Sequence, residues 1–358
     1  MTDRAAPPYA VPRGLPRAAV AIAALAAACQ AGPAARSGRW SAPPTEILSC
    51  VDLPREDRHS HNLSGLAWDP AARRLYAISD RDKWITVLEP RPGFLGFDLR
   101  SPIALDIAID AKAWDGEALA IAGDRFLVVA NEDQPVIYSI DRSGRGATRI
   151  ELPEFRGTRD NRGLEGIGYA SGAGGRYVFA VNEQALEGDG PTCTAGHGTV
   201  VRILRRSLDG RPDREVAYLT EPIFTDGTPA DNGVSDLVAL SADRVLLIER
   251  AFVQGSGNAV RIYDVDLRGA QDTLALGDAR TAVPVRKRLV LDLALLADEP
   301  CSMPPVPQRR KSLDNYEGIA IGPKLPDGRQ LLFLVSDDND RPTQTPRLLT
   351  IAVARGAL

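Results

Sequence analysis

Beyond residue 45, apolar and polar residues alternate in short runs without helical spacing, and the runs are cut by Gly, Pro, Asp and Asn clusters. That is the pattern of strands joined by tight turns. The runs recur as a unit. Each copy opens on a short strand: Ser64-Gly65-Leu66-Ala67, Glu117-Ala118-Leu119-Ala120, Glu165-Gly166-Ile167-Gly168, Ser235-Asp236-Leu237-Val238 and Glu317-Gly318-Ile319-Ala320. A second apolar strand then ends on a polar pair: Ser79-Asp80, Asn131-Glu132, Asn182-Glu183, Glu249-Arg250 and Ser336-Asp337. Two further runs follow each pair, such as PVIYSID and TRIEL, which makes four strands per unit.

A unit recurring every few tens of residues predicts an all-β, five-bladed β-propeller of four-stranded blades. The fifth unit supplies only LLTIAVA after its first two strands, so TEILSCVDL near the start of the domain is its outer strand. Pairing the N- and C-terminal strands closes the ring and removes exposed sheet edges. Successive first residues lie 53, 48, 70 and 82 apart. A sixth blade is the alternative, but no sixth copy fills the two long intervals. Thr225 to Gly233 and Ala297 to Leu313, rich in turn-forming residues, read as loops instead.

Residues 1–32 differ: Arg4, Arg13 and Arg17 precede an apolar run from Ala18 to Ala28, the pattern of an export signal and too short to span a bilayer. Cys29 after Leu25-Ala26-Ala27-Ala28 resembles a lipobox, with Cys29 as the lipid anchor and ordinary cleavage nearby as the alternative. Residues 33–44 form a linker and 45–356 the propeller. The expected location is outside the cytoplasm: periplasm, outer-membrane lipoprotein or secreted. In that oxidising setting the Pro-rich surroundings of Cys193 and Cys301 favour their pairing as a disulfide, leaving Cys50 a buried thiol. A net charge of −4 with scattered basic residues excludes a nucleic-acid footprint. The membrane is met through the lipid anchor alone, and a monomer is expected.

In a four-stranded blade the first strand lines the channel and starts where the second ends. Ser64, Glu117, Glu165, Ser235 and Glu317 are therefore expected to ring one mouth, with Asp80, Glu132, Glu183, Arg250 and Asp337 as a neighbouring tier. Carboxylates about 6 Å apart repel by about 3 kcal/mol per pair at an effective dielectric of 20, so something must neutralise the ring. Hard carboxylate and hydroxyl oxygens suit Ca²⁺, and one axial calcium ion is expected. Asp80, Glu132, Glu183 and Asp337 are the candidate catalytic acids and bases. Arg250 is the candidate clamp for an anionic substrate, with His61 and Arg162 as further rim candidates. A calcium that merely stitches the inner strands is the competing structural reading. No GxSxG motif or phosphate-cradling glycine loop is present.

At NLSGLAWDPAARRLYAISDRD, RGLEGIGY with RYVFAVNE, and NYEGIAIGPKLPDGRQLLFLVSDDND, the sequence resembles the exported bacterial phytase-like domain family. That resemblance implies a β-propeller and esterase-like activity. The order Ser, Glu, Glu, Ser, Glu along the first residues is similar to calcium-activated nucleotidases of the soluble apyrase family, which implies one axial calcium. The sequence departs from six-bladed bacterial phytases in lacking their dense acidic and lysine clusters. The expected function is hydrolysis of phosphate or carboxylic esters, small and anionic. A non-catalytic envelope scaffold and a lactonase-type enzyme are the alternatives.

Overall fold

A computed structural model describes residues 44–358 other than 111–112, 131–135, 173, 209–211 and 307. The signal segment, Cys29 and Glu132 lie outside the described residues. Among those described, the regular elements are strands and three-residue 3-10 turns.

Among the described residues, twenty strands form five antiparallel four-stranded sheets. The first blade is β2 (Leu63–Asp69), β3 (Arg74–Ser79), β4 (Trp84–Pro90) and β5 (Phe97–Ala104). The second is β6 (Gly116–Ala122), β7 (Arg125–Ala130), β8 (Val136–Asp141) and β9 (Thr148–Glu151). The third is β10 (Leu164–Gly172), β11 (Gly175–Asn182), β12 (Val200–Ser207) and β13 (Pro212–Leu219). The fourth is β14 (Ala230–Ser241), β15 (Arg244–Val253), β16 (Gly257–Asp266) and β17 (Lys287–Asp292). The fifth is β18 (Tyr316–Lys324), β19 (Gln330–Ser336) and β20 (Arg347–Val353), completed by the N-terminal β1 (Glu46–Asp52) beside β20. Closure by the two chain ends is as the repeat predicts.

Turn chemistry sets the hairpins. Between β2 and β3, Asp69 Oδ1 accepts the main-chain N–H groups of Ala71 and Ala72 at 2.8 and 3.0 Å, which folds the chain back at Asp-Pro-Ala-Ala. In the fourth blade the hairpin reaches further than the sequence suggests. Ala230 to Gly233, read as loop, already pair with Val253 to Arg250 as strand.

Blades stack face to face, so their second and third strands are buried on both sides; every residue of β20 is buried. One apolar cluster fills each interface between successive blades. Phe126 and Ile85 belong to the cluster between blades one and two, and Phe333 and Leu75 to the one that joins blade five to blade one. The inner strands pack in ring order, with β18 against β2 closing the circle. Gly318 sits at that last contact. A Cβ there would lie 2.5 Å from the Ser64 carbonyl oxygen, so glycine is what lets the inner strands meet.

The disulfide differs from the expected one. Cys50 on β1 is bonded to Cys301 in the loop after β17, with the Cα atoms 5.0 Å apart, and Cys193 is the buried free thiol. Cys193 packs with Ile223, ahead of β14, and Val253, at the end of β15, whereas Cys301 belongs to the apolar cluster between blades four and five. Cys50 faces the crossing loop from the outer edge of blade five. The same loop is tied to β1 by Ser302 Oγ, which bonds Asp52, and by Arg347, whose Nε donates to Asp52 Oδ1 at 2.6 Å and whose Nη2 reaches the Ser302 carbonyl at 3.1 Å.

Candidate functional site

The first residue of every repeat falls at a break in register between the first and second strand of its blade. The pairing skips over Ser64, Glu117, Glu165, Ser235 and Glu317 in turn. A bulge adds an unpaired residue and re-aims its side chain. Five equivalent bulges thus present five oxygen-bearing side chains around one end of the channel. Ser64 Oγ donates to the Glu117 carbonyl at 2.8 Å and approaches Glu117 Oε2 at 3.2 Å, while Ser235 Oγ donates to the Tyr316 carbonyl at 2.9 Å.

The second tier is equally regular. The N–H groups of Asp80, Glu183 and Asp337 donate to Asn62, Gly163 and Asn315, each two residues before its blade's bulge, and Arg250 pairs with Gly233 at the corresponding place. The carbonyls of Asp80 and Glu183 then accept from Gly116 and Val234 of the next blade, at 3.3 and 3.1 Å. One set of residues lines the mouth and also stitches neighbouring blades.

Charge around this mouth divides into two regions that share Glu317. On one side, Arg162 Nη1 meets Glu183 Oε2 at 2.9 Å and its Nη2 meets Asp231 Oδ2 at 2.5 Å. Arg250 Nη2 lies 3.6 Å from Glu183 Oε1 and 3.4 Å from Glu317 Oε1. Burial raises the Glu183 carboxyl and the two arginines oppose that shift. Burial works against the Arg250 charge, but Glu317, Glu183, Glu165 and Asp231 outweigh it and hold it firmly protonated. On the other side, Asp80, Asp337 and Glu317 face one another with Asp115 nearby. Burial, with Glu317 and Asp115 adding to it against the pull of Arg81, pushes Asp80 up to about 7. Burial and the Glu317 and Asp80 charges lift Asp337 well above the carboxylate range, and burial raises Glu317 also. Asp80 Oδ1 is buried without a hydrogen-bond partner.

The ring expected to hold calcium meets a competing cation, the Arg250 guanidinium beside Glu317. Among the described residues no group of three or more His, Cys, Asp or Glu side chains is arranged to hold a metal ion. Glu317, a member of the expected ring, faces a guanidinium instead.

Further down the axis, Asp236 is fully enclosed. Its carboxylate accepts the N–H of Leu237 at 2.7 Å, that of Ile319 at 2.9 Å and that of Leu66, so it ties the inner strands of three blades. Burial raises its pKa well above the ordinary value against those three bonds. Sequence reading passed over Asp236, although its place as the acidic second residue of a repeat, where three other copies carry Gly, marked it out.

His61 is placed at the rim, but its ring is committed. Nδ1 lies 2.7 Å from Asp338 Oδ2 and Nε2 lies 2.7 Å from the Arg55 carbonyl. Burial works against its charge, yet those two acceptors prevail and raise its pKa. With both nitrogens engaged, the His61 ring is fixed in place rather than free to carry protons.

Residues 58–340 match the protein family described as phytase-like, with esterase-like activity of phytase. The chain belongs to the phytase-like family. No curated protein matches the sequence. Solved structures similar to this phytase-like chain include an endo-arabinase from Bacteroides thetaiotaomicron, at 11% identity and TM-score 0.43, covering 87% of this chain and 97% of that one. A luciferin-regenerating enzyme is similar at 12% identity and TM-score 0.40, covering 86% and 96%. A streptogramin B lyase is similar at 9% identity and TM-score 0.33, covering 86% and 97%.

Volume and chemistry separate in this phytase-like propeller. A cavity of about 680 Å³ opens where the inner strands finish, at the opposite end from the carboxylates, and Leu66, Leu119, Ile167 and Leu237 line it beside Trp68 and Tyr169. Lys324, Arg355 and Gln330 stand at its rim, but no Asp, Glu or His side chain lines it. The mouth that gathers carboxyl and guanidinium groups is the candidate site.

Proposed function

We propose that this protein hydrolyses small esters, phosphate or carboxylic, at the acidic mouth of the channel. The observation that carries the reading is the buried group Asp80, Asp337 and Glu317, in which burial and neighbouring charge push Asp80 up to about 7 and raise Asp337 well above its ordinary value. Two neighbouring carboxyls with separated affinities can divide base and acid duties. Asp80, as carboxylate, takes a proton from a water that attacks the ester phosphorus or carbon. The bond to the leaving oxygen breaks, and Asp337 gives that oxygen its proton. Arg81, beside Asp80 at 3.2 Å and largely exposed, and Arg162 at the rim are placed to hold an anionic substrate. Glu183, buried and paired with Arg162, positions that arginine. The esterase-like description of the family agrees with this class of reaction.

The test is a panel of p-nitrophenyl phosphate, p-nitrophenyl carboxylic esters and simple lactones, assayed with the purified protein and its Asp80→Asn and Asp337→Asn variants. Turnover of one class is expected, rising with pH through about 7. Each variant should lose on the order of 10²-fold or more in kcat while still melting cooperatively. A panel silent both with added calcium and without it would leave the scaffold reading standing.

A further inference from the structure

We infer that this propeller carries the cation of its channel mouth covalently, as the guanidinium of Arg250, in the place where a ring of carboxylates otherwise calls for a divalent metal ion. Three of the four described second-tier positions are acids, Asp80, Glu183 and Asp337, and the fourth is Arg250 in the same register. The repeat thus reverses the sign of one charge among equivalents. The guanidinium reaches across blades: it extends from blade four, Nη2 lying 3.6 Å from Glu183 of blade three and 3.4 Å from Glu317 of blade five. Its side chain is 15% exposed against 3% for Glu183 and 13% for Glu317, so little water screens the three.

A second observation is independent of charge. Arg250 pairs across the hairpin with Gly233, where a Cβ would stand 2.7 Å from Glu183 Cγ and 2.9 Å from the Glu183 carbonyl oxygen. Glycine at 233 is what allows Glu183 to come in against the arginine. The distances to both carboxylates are long for direct hydrogen bonds, and Arg250 Nε has no hydrogen-bond partner. Arg250 therefore works as a buried charge, as a metal ion would, more than as a hydrogen-bonding fork. Removing it takes the guanidinium from Glu317 and leaves Glu183 to Arg162 alone, and the vacated volume lies among hard oxygen donors that suit calcium.

The experiment compares wild type, Arg250→Met and Arg250→Lys near pH 8, by thermal melting in chelator and in a few millimolar calcium, and by calorimetric titration with calcium chloride. Wild type should bind no calcium in the micromolar range, and its melting temperature should move by less than about 1 °C. Arg250→Met should melt several degrees lower in chelator and regain at least half of that loss in calcium, while Arg250→Lys, which keeps the charge, should gain little. Stoichiometric micromolar binding by wild type, or an Arg250→Met protein that folds and ignores calcium, would overturn the assignment. If Arg250→Met does not fold, the wild-type titration and the Arg250→Lys melts still decide it. All readouts are binding or melting, so the outcome is independent of catalysis.

Discussion

Asp80 concentrates the residue-scale physics. It follows the same strand as Asp337 and Glu183 follow theirs, yet it holds a proton near neutrality because burial and the Glu317 and Asp115 charges outweigh Arg81. A carboxyl at about 7 when folded and 3.8 when unfolded binds more protons in the folded state between those values. Stability therefore falls as pH rises through that window, and what remains is constant above about 7. Asp80→Asn should remove part of that fall, read as the difference in melting temperature between the two ends of the window. A variant with the full wild-type slope would place the proton on another group. The oxygen types of the mouth were legible in sequence as five aligned positions. Arg250 as their counter-charge was not, because a pattern of positions does not say which side chains come within a few ångströms.

Single elements repeat one device. A first strand leaves its register at the bulge, its second strand returns to the N–H of the tier residue, and the carbonyl there takes up the next blade. This explains the glycine that follows the bulge in three repeats, at Gly65, Gly166 and Gly318: added Cβ atoms would fall 2.4, 2.7 and 2.5 Å from backbone atoms of neighbouring inner strands. Gly318→Ala should cost about 1–3 kcal/mol or more by forcing blades five and one apart. Gly172→Ala, at the far end of β10 with open space around its Cβ position, is the matched control and should be near neutral. Equal melting temperatures for the two variants would mean the ring is not close-packed at its axis. The glycines were visible in sequence as small residues of the repeat; that they answer to a neighbouring blade needed the fold.

Over the whole molecule, stability depends on keeping β1 in blade five, since its loss would open the ring. Pairing with β20, the Arg347 and Asp52 contact and the Cys50–Cys301 bond all act there. The bond joins residues 251 apart in sequence, and a cross-link of that span restricts the unfolded chain strongly. Cys301→Ser should lower stability by about 2–5 kcal/mol. Thiol labelling of the unreduced, unfolded protein should mark Cys193 and spare Cys50 and Cys301; a cross-linked peptide containing Cys193 would sink this arrangement. The sequence pointed to Cys193 through local composition, which carries no information on which distant edge a loop crosses.

What the sequence by itself determined was everything carried by repetition: the strand pattern, five blades, closure by the first strand, and the equivalence of the mouth positions. Repetition is enough because each blade must bury the same two faces against its neighbours, so the same residue types return at the same places. Tertiary structure decided what differs between equivalent positions. Which cysteine meets Cys301, that Asp236 fastens three inner strands, and that Arg250 stands among the carboxylates all follow from distances across blades, and those distances exist once the ring has closed.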